Sequence, residues 1–357
     1  MAIAGTAATN PTILRLSIVI PVYNGAAPLA RCLEAVRRSE PAPFECIVVD
    51  DGSSDDSAAV AARYGATCVR LEQRGGPARA RNRGAAVASG DALVFLDADV
   101  CLHPDTLDRI AQYLQAHPAA AAVMGSYDDR PTEAGLVSQY KNLQHHYVHQ
   151  RSRPEAWTFW AGCGAVRRDV FAAVGGFDES YTRPCVEDIE LGHRLHRSGY
   201  RMGLDATIQA THLKRWTLVD LVRTDVCDRA VPWLLLLLRD RTLPSDLNVR
   251  VADRVSVLLV WLMFGASVVA VLGARRLWPL IPVAAVLLVT LNLDFYRFLA
   301  RKRGISFALR SLPLHALYYW YCGLAAAFTP LWYAGRELIA SYRRGRGPAA
   351  IGDGYHD

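Results

Sequence analysis

Two aspartates separated by one small residue, Asp97-Ala98-Asp99, form the most informative chemical motif of the sequence. They directly follow residues 92–96, a short apolar run rich in strand-forming side chains. A buried strand there delivers both carboxylates to its carboxyl end, where ligands bind in open α/β sheets. Two hard oxygen ligands at that point suit a divalent cation that also grips phosphates. A strand can also end in Asp-x-Asp at a solvated turn that binds nothing. The neighbouring motifs must therefore show whether this pair forms a binding site.

Further acidic and basic groups follow other predicted elements. Asp50 and Asp51 end a neighbouring strand, where carboxylates can accept hydrogen bonds from a base or a ribose. Arg81 is one of several arginines on a predicted helix over residues 78–88, and guanidinium groups suit a diphosphate. These residues predict a nucleotide site at the same sheet edge as the Asp-x-Asp pair.

A carboxylate pair and a late histidine complete the set. Glu187 and Asp188 begin a predicted helix, and His212 lies just beyond the last predicted strand. Each motif also has a simpler interpretation: Asp-Gly-Ser turns are common loops, and helices begin with acids because of their dipole. An arginine-rich helix is usually a solvated face, and a lone histidine is more often structural than a ligand. Only the combination of these motifs in this order favours a ligand-binding site over the simpler interpretations.

The elements that must position these residues alternate between strand and helix. This alternation predicts βαβ units and an α/β fold with a Rossmann-like, mostly parallel sheet. The predicted strands cover residues 16–23, 44–49, 67–71, 92–96, 121–127, 157–166 and 203–213. The predicted helices cover residues 28–38, 57–64, 78–88, 104–116, 167–174 and 186–198. Residues 132–152, rich in His and Gln, are a helix or a loop to which the sequence assigns no role.

Charge and hydropathy divide the 357 residues unevenly. Hydrophobic residues make up 52% and charged ones 21%, which is apolar for a soluble enzyme. Residues 1–216 carry 23 basic and 24 acidic side chains, whereas residues 217–357 carry 17 and 10, so the overall charge of +6 comes from the second part. The long apolar stretches lie there too. A membrane surface therefore explains the basicity better than nucleic acid does.

The second part of the chain is predicted to meet a membrane. Residues 217–238 have the pattern of an amphipathic interfacial helix, with Arg223, Asp225, Asp228 and Arg229 on its polar face and a kink at Pro232. Three apolar segments are long enough, or nearly so, to span a bilayer: residues 255–273, 277–293 and 312–334. The basic loop 294–311 fits the cytoplasmic side, but three full crossings would place the basic C-terminus outside.

The predicted organisation therefore has five parts: a disordered tail (1–13), a cytoplasmic catalytic domain (14–216), an interfacial helix and linker (217–254), about three transmembrane helices (255–335) and a basic tail (336–357). The beginning of the chain lacks the charged and apolar regions of a signal peptide. The eight cysteines are scattered without a Cys-x-x-Cys pair, which argues against a disulfide framework or a zinc site.

Residues 14–216 resemble the family 2 glycosyltransferases, which have the metal-dependent nucleotide-sugar fold called type A. The motifs that carry the resemblance are Pro-Val-Tyr-Asn at 21–24, Asp-Asp at 50–51, Asp-Ala-Asp at 97–99, Trp-Ala-Gly-Cys-Gly at 160–164 and Glu-Asp at 187–188. The late His212 belongs to the same series. The resemblance implies an enzyme that transfers a hexose from a nucleoside-diphosphate sugar, most naturally a UDP-sugar.

The resemblance also implies a role for each residue. Pro21, Tyr23, Asn24, Asp50 and Asp51 would hold the nucleoside. Asp97, with Ala98, would contact the ribose or diphosphate and adjoin the cation, whereas Asp99 and His212 would bind Mn²⁺ or Mg²⁺. The loop with Gly162 and Cys163 would face the donor sugar, with Trp160 on the acceptor side. Asp188 would be the base, paired with Glu187.

Under this interpretation one displacement inverts the anomeric carbon, while the cation and Arg81 offset charge on the leaving diphosphate. The segment from His212 to Trp216 resembles the Gln-x-x-Arg-Trp motif of processive polysaccharide synthases, but His replaces Gln. We therefore expect transfer of one or a few sugars to a lipid or lipid-linked glycan, with Arg215 and Trp216 near the diphosphate and acceptor mouth.

Three alternatives stay open at the level of sequence. The acceptor could be a polyprenyl phosphate, which needs no general base, the enzyme could be a processive synthase, or the chain could be an inactive membrane scaffold that keeps the fold. The expected location is the inner (plasma) membrane, as a multi-pass protein in contact with membrane lipids and with the catalytic domain facing the cytoplasm.

Overall fold

The computed structural model describes residues 14–39, 44–241, 250–273 and 275–345, with the backbone alone for 44 and 337–345. The predicted tail 1–13, part of the linker and the end of the basic tail lie outside the described residues. The chain divides into two compact units. The first takes its residues from Met1–Leu221, Pro244–Val251 and Asn292–Leu312, and the second from Val222–Leu243, Ala252–Leu291 and Pro313–Asp357.

The first unit is built on a nine-stranded sheet. Its strands are β1 (Leu16–Val22), β2 (Phe44–Asp50), β3 (Thr67–Arg70), β4 (Ala92–Leu96), β5 (Val100–Leu102), β6 (Ala120–Tyr127), β7 (Glu155–Ala156), β8 (Cys163–Arg167) and β9 (Arg201–His212). The sheet order is β3-β2-β1-β4-β8-β6-β9-β5, with β7 beside β9. Strands β1 to β4 are parallel, whereas β8 runs antiparallel between β4 and β6. The predicted α/β fold class is confirmed, and its second half is mixed.

Helices cover both faces of this sheet. They are α1 (Ala26–Arg37), α2 (Ser57–Arg63), α3 (Pro77–Val87), α4 (Thr106–Ala116), α5 (Leu136–Arg151), α6 (Arg168–Ala173) and α7 (Glu187–Arg197). Two buried apolar clusters result, one on each side of the sheet. Strands β1 and β4 are buried on both faces, which is why they are almost entirely apolar in sequence.

Helix α3 approaches the sheet closely at Gly84. A Cβ atom there would lie 2.4 Å from Cγ1 of Val19 and 3.0 Å from Cγ2 of Val49. Gly84→Ala should therefore lower the free energy of unfolding by about 1–3 kcal/mol, because the packed strands cannot move aside freely. Thermal unfolding measures this. Gly135→Ala is the control, since its Cβ would meet nothing within 4 Å, and an equal loss in both variants would contradict the packing argument.

One predicted strand is wrong in extent. Residues 157–162 form a loop, and β8 begins only at Cys163. The chain turns at residues 161–162, and the Trp160 indole packs closely over Gly162 there. The short strands β5 and β7 are not predicted, and α5 resolves the ambiguous segment 132–152 as a helix.

After the sheet the chain is helical. The helices are α8 (Leu218–Arg223), a π-helical turn (Thr224–Ala230), α9 (Val231–Asp240), α10 (Val251–Val271), α11 (Leu280–Leu291), α12 (Leu293–Arg303) and α13 (Ile305–Gly345). The π-helical turn lies directly before α9, close to the predicted kink at Pro232. Asp225, predicted on the exposed polar face, is buried and accepts a hydrogen bond from the Tyr321 hydroxyl at 2.6 Å. The helical period alone could not foresee that partner.

Among the described residues one helix, α10, is by itself long and apolar enough to cross a membrane. The segments Arg275–Leu291 and Leu293–Arg303 pass the same test only as one bent pair. The third predicted span lies within α13, which contains Pro313 and Pro330 and does not meet the test. Length and composition thus support one crossing helix, or two if the bent pair counts as one, rather than about three.

Candidate active site

Asp97 and Asp99 leave the end of β4, each with 35% of its side chain exposed. Asp97 turns toward Arg81, whose Nη2 donates to Oδ1 of the carboxylate at 2.8 Å. Asp99 turns toward His212, with its Oδ2 atom 3.4 Å from Nε2 of the ring. The two carboxylates therefore have different partners, although only one residue separates them.

Arg81 is buried and joins two acidic segments. Its Nη1 donates to Oε1 of Glu187 at 2.8 Å, while Nη2 holds Asp97. The other oxygen of Glu187 accepts the backbone N–H of Cys185 at 2.8 Å. Arg81 thus fixes the end of β4 relative to the start of α7. Contact between this guanidinium and a diphosphate stays a prediction.

Asp188 is the second acid in the first turn of α7. Its Oδ1 accepts the N–H of Ile189 at 2.8 Å, and its Oδ2 accepts the N–H of Ala161 at 3.1 Å. Burial, and then the negative charge of Glu187, raise the pKa of Asp188 to about 7, although Arg81 and the Ala161 N–H oppose this rise. A carboxyl group with this pKa suits a general base that works near neutral pH.

His212 ends β9 and is held in one tautomer by Asn142. The amide nitrogen of Asn142 donates to the Ser138 carbonyl at 3.1 Å, so its Oδ1 faces the ring and accepts from Nδ1–H of His212 at 3.0 Å. In the neutral ring Nε2 is then unprotonated, and its lone pair faces the side chain of Asp99. A second hydrogen bond of this kind is what orients histidines that bind metals.

The Asp99–His212 pair fits a divalent cation that takes few ligands from protein. Two neighbouring ligands of an octahedral ion at about 2.1 Å lie about 3 Å apart, close to the 3.4 Å found here. Burial raises the pKa of Asp99, but a hydrogen bond and positive charge from the His212 ring in its protonated form, together with the charge of Lys214, outweigh this rise, so the net pKa is lowered and the carboxylate is ionised. Substrate phosphates and water complete such a site for Mg²⁺.

Asp97, the third predicted metal ligand, does not join this pair. Within the described residues no group of three or more His, Cys, Asp or Glu side chains is placed to hold a metal ion. The reason is the ion pair with Arg81, which turns Asp97 away from Asp99 and His212. The prediction of Asp97 as a ligand is therefore not met by this geometry.

Aromatic rings extend the site from the histidine toward the glycine loop. The Tyr127 ring stacks on His212, with centroids 4.3 Å apart and planes 3° apart. Trp160 meets Tyr127 edge-on at 4.4 Å. A Cβ at Gly162 would lie 2.7 Å from the Trp160 indole, so glycine is required for this packing. The predicted acceptor-side tryptophan thus adjoins the Asp99–His212 pair through Tyr127.

The rest of the glycine loop is tied to the end of β4. The Asp97 N–H points to the Gly162 carbonyl at 3.4 Å, and Cys163 pairs with Leu96 across the sheet. Burial, and then the charge of Asp97, raise the pKa of Cys163 to about 12. Its thiol is therefore no nucleophile at neutral pH. Ala98 is half-buried between the two aspartates.

Asp50 and Asp51 are both buried and hold their own loops in place. Asp51 accepts the backbone N–H groups of Gly75 and Gly76, each at 2.8 Å. Asp50 accepts the N–H of Ser53 at 2.8 Å. Asp51 thereby fixes the turn that precedes the arginine-rich helix α3, and Asp50 fixes the loop that follows β2. Contact of either carboxylate with a nucleoside stays a prediction.

An open aromatic surface lies at the end of β1, beyond Pro21. Tyr23 is 41% exposed, and the Arg74 guanidinium lies 3.9 Å from its ring centroid. Asn24 adopts a left-handed conformation, with φ of 48°, and its Oδ1 accepts the Ser54 N–H at 2.8 Å. An exposed ring beside a cation suits a nucleotide, which joins an aromatic base to a negative diphosphate.

Trp216 lies inside the fold, whereas the sequence predicts it at an open acceptor mouth. It is 4% exposed, its backbone N–H donates to Oγ of Ser138 at 2.8 Å, and the Lys214 ammonium lies 4.1 Å from the centroid of its ring. Arg215 between them is exposed. The packing of Trp216 against α5 explains its burial, and the roles of both residues toward substrates stay predictions.

Sequence reasoning missed Asn142, Tyr127 and Ala161. Asn142 belongs to a row of buried polar residues on α5, which has almost no amphipathic pattern: Ser138, Gln139, Lys141, Asn142, Gln144, His145 and His146. Polar residues on a buried helix need partners, so the unusual composition of 132–152 was the available signal. Ala161 contributes through its backbone, which leaves no trace in residue type.

This mixed sheet, covered by helices on both faces, is the fold of the type A glycosyltransferases. A solved mannosyltransferase from Pyrobaculum calidifontis shares the fold, with a TM-score of 0.58 over 90% of this chain and 89% of that chain at 19% identity. Residues 17–175 match the family model Glycosyl transferase family 2. The chain therefore carries a family 2 glycosyltransferase domain.

Curated relatives match over the same region. Validoxylamine A glucosyltransferase of Streptomyces hygroscopicus subsp. limoneus is 32% identical over 238 residues, which are 55% of this chain and 52% of the relative. A PGL/p-HBAD biosynthesis glycosyltransferase of Mycobacterium bovis is 34% identical over 122 residues, 32% of this chain and 48% of the relative. The chain thus spans about half the length of these relatives.

The hydrogen bond from His212 to Asn142 yields a direct prediction. Asn142→Leu keeps the shape but removes the acceptor, so we expect Mn²⁺ affinity in the presence of a nucleoside diphosphate to fall by about 10–100-fold. Asn142→Asp keeps an acceptor and should retain binding. Imidazole ¹⁵N chemical shifts of His212 in the metal-free protein report the tautomer. Identical shifts in wild type and Asn142→Leu would contradict the positioning role.

Proposed function

We propose that this protein transfers a sugar from a nucleoside-diphosphate sugar to a hydroxyl group of an acceptor, with inversion at the anomeric carbon. One observation carries the proposal: the Asp188 carboxyl group, with a pKa near 7, is held by two backbone N–H groups beside the acidic cluster of Asp97 and Glu187. The glycosyltransferase names of the relatives support the reaction class.

In the proposed reaction Asp188 accepts the proton of the acceptor hydroxyl as that oxygen bonds to the anomeric carbon. The bond to the diphosphate breaks on the opposite face, and the nucleoside diphosphate leaves with the electron pair. One displacement converts an α-linked donor into a β-linked product. Glu187 is tied to Arg81 and Cys185, so it positions the cluster and is not needed as a nucleophile.

Asp99 and His212 would hold Mn²⁺ or Mg²⁺, which when bound supplies positive charge against the leaving diphosphate. Asp97, fixed by Arg81, would contact the ribose or diphosphate next to that pair. The structure of the mannosyltransferase that shares the fold contains GDP-Man and Mn²⁺, which supports this type of donor complex.

We propose a UDP-sugar as the donor, with the base near the exposed face of Tyr23 and the loop of Asn24. A screen of UDP- and GDP-sugars for Mn²⁺-dependent turnover, with membrane lipid extract as acceptor, tests the whole proposal. Release of nucleoside diphosphate with one donor and formation of a β-linked product support it. Turnover that retains the α configuration would overturn the single displacement.

The proposed acceptor is a lipid or lipid-linked glycan at the plasma membrane. Helix α10 has 21 residues, about 31 Å at 1.5 Å per residue, which matches a hydrocarbon core of about 30 Å. The first unit, which carries the candidate active site, is called the catalytic unit below. Chain segments on both sides of residues 252–291 belong to it. We infer that the chain leaves the membrane on the side it entered, with α10 as one crossing and the segment Arg275–Leu291 as the return, which makes the protein multi-pass.

The basic end of α12 supports a cytoplasmic catalytic unit. Arg301, Lys302 and Arg303 end this helix, and basic residues next to membrane segments favour the cytoplasmic side. Arg303 itself donates to Gln139 of α5 at 2.7 Å, so this basic end lies with the catalytic unit. Both observations support one orientation.

The raised pKa of Asp188 predicts the pH dependence of transfer. The base must be deprotonated, so kcat/KM for the acceptor should fall tenfold per pH unit below about 7 and level off above it. A pH profile between 5 and 9 at saturating Mn²⁺ measures this. A profile flat through pH 7 would favour a phosphate acceptor such as a polyprenyl phosphate, since that oxygen needs no base.

A further inference from the structure

Helix α12 is docked on the catalytic unit by one face. Its Phe295 ring lies 6.2 Å from the Tyr140 ring and 5.0 Å from the Tyr147 ring of α5. At its end, Nε of Arg303 donates to Gln139 at 2.7 Å. These contacts fix α12 against α5, so the side chains on its outer face have a defined place on this unit.

That outer face borders an open surface pocket of about 440 Å³, lined by exposed arginines. Its walls are Arg151 at the end of α5 and Asp294, Arg297, Ala300 and Arg301 of α12. Asp294 is the single acid among them, 3.3 Å from Arg151 and 3.9 Å from Arg297. Three guanidinium groups against one carboxylate leave two uncompensated positive charges. Their mutual repulsion falls when an anion enters the cavity.

We propose that this cavity, the Arg151–Arg301 pocket, binds the phosphate group of an anionic lipid headgroup. Guanidinium groups present paired N–H donors that match phosphate oxygens, and a volume of this size admits such a group. None of the residues of the candidate active site lines the pocket. The bound lipid is therefore a ligand that holds the enzyme at the surface, not the acceptor itself.

The adjacent sequence selects a lipid as the source of the phosphate. Helix α12 begins one residue after α11, whose twelve residues contain no charge and expose large apolar side chains such as Val286 at 64% and Leu287 at 51%. A surface of that kind belongs in acyl chains. Arg297, about one turn into α12, and Arg301, one turn further along, then lie near the depth of lipid headgroups.

The test uses the full chain in neutral detergent and calorimetric titration of dioctanoyl phosphatidic acid. We expect saturable binding that falls at least tenfold in Arg297→Gln/Arg301→Gln. The control Arg37→Gln/Arg38→Gln, on exposed positions at the C-terminal end of α1, removes the same charge and should keep the affinity. Equal losses in both double variants would overturn the pocket in favour of general electrostatic attraction.

Removal of the acid in the pocket gives a test of opposite sign. Asp294→Asn should tighten binding of the short-chain phosphatidic acid, whereas Asp108→Asn on α4 makes the same change in charge elsewhere and should not. Inorganic phosphate and dioctanoyl phosphatidylcholine are titrated in parallel. Phosphate binding as tight as phosphatidic acid binding would overturn the lipid occupant. UDP binding should be unchanged in all of these variants. That result would show that a change in lipid binding is independent of the donor site of the proposed function.

Discussion

Asp188→Asn should lower sugar transfer by roughly 10²–10⁴-fold, the range for loss of a general base. Asparagine keeps the shape of the side chain, and its single oxygen can still accept one of the two N–H groups, that of Ala161 or that of Ile189. Donor and metal binding should therefore stay near wild-type values. Single-turnover transfer to the acceptor, with calorimetric titration of UDP and Mn²⁺ alongside, measures both parts of the prediction.

Asp169→Asn is the matched control for this variant. Asp169 lies in the first turn of α6 and accepts the N–H of the following Val170 at 2.8 Å, the same local contact that Asp188 makes with Ile189. If an acid matters here only because it stabilises the start of a helix, the two variants should lose similar activity. Near-normal transfer by Asp188→Asn would show that another group accepts the proton.

The same residue links catalysis to stability. Because the folded state raises the pKa of Asp188 above its unfolded value, this group favours folding at acid pH and loses that contribution as pH rises through about 7. Removing the charge should then leave the protein at least as stable at pH 8. Thermal unfolding of Asp188→Asn at pH 8 no lower than wild type shows that lost activity is not lost folding.

Much of the fold follows from local pattern. Strands β1 and β4 are continuous apolar runs because both of their faces are covered, and a polar motif follows each of them directly. Strands β2 and β4 both run parallel to β1. Asp50 at the end of β2 and Asp97 after β4 therefore lie at the same edge of the sheet. The acids at the start of α7 were predictable for a similar reason, since a helix dipole favours them.

The remaining part of the site depends on contacts between distant segments. The ion pairs of Arg81 join residues 16 and 106 positions away, and no local pattern shows which carboxylate a guanidinium will choose. The Asn142–His212 contact spans 70 positions. Asp225 likewise gains its tyrosine partner 96 positions later. Types and spacing predict which residues gather, but tertiary packing decides how they pair.

The Asp99–His212 pair carries the second large prediction. Asp99→Ala and His212→Ala should each weaken Mn²⁺ binding in the presence of UDP by tenfold or more, because each removes one protein ligand. Electron paramagnetic resonance of free Mn²⁺ measures the affinity without the reaction. His103→Ala is the matched control, since His103 makes a similar pair with Asp128 at 2.9 Å. An unchanged Mn²⁺ response in His212→Ala would make His212 a structural residue.

The double variant distinguishes a shared ion from two separate effects. If Asp99 and His212 bind the same cation, removal of either ligand already removes most of the protein's contribution to Mn²⁺ binding. Asp99→Ala/His212→Ala should then bind Mn²⁺ little more weakly than the weaker single variant. Independent contributions would instead add in free energy. Asp97→Asn completes the comparison: because Arg81 holds Asp97 away from the pair, its loss should weaken UDP binding while its effect on Mn²⁺ affinity stays below that of either ligand.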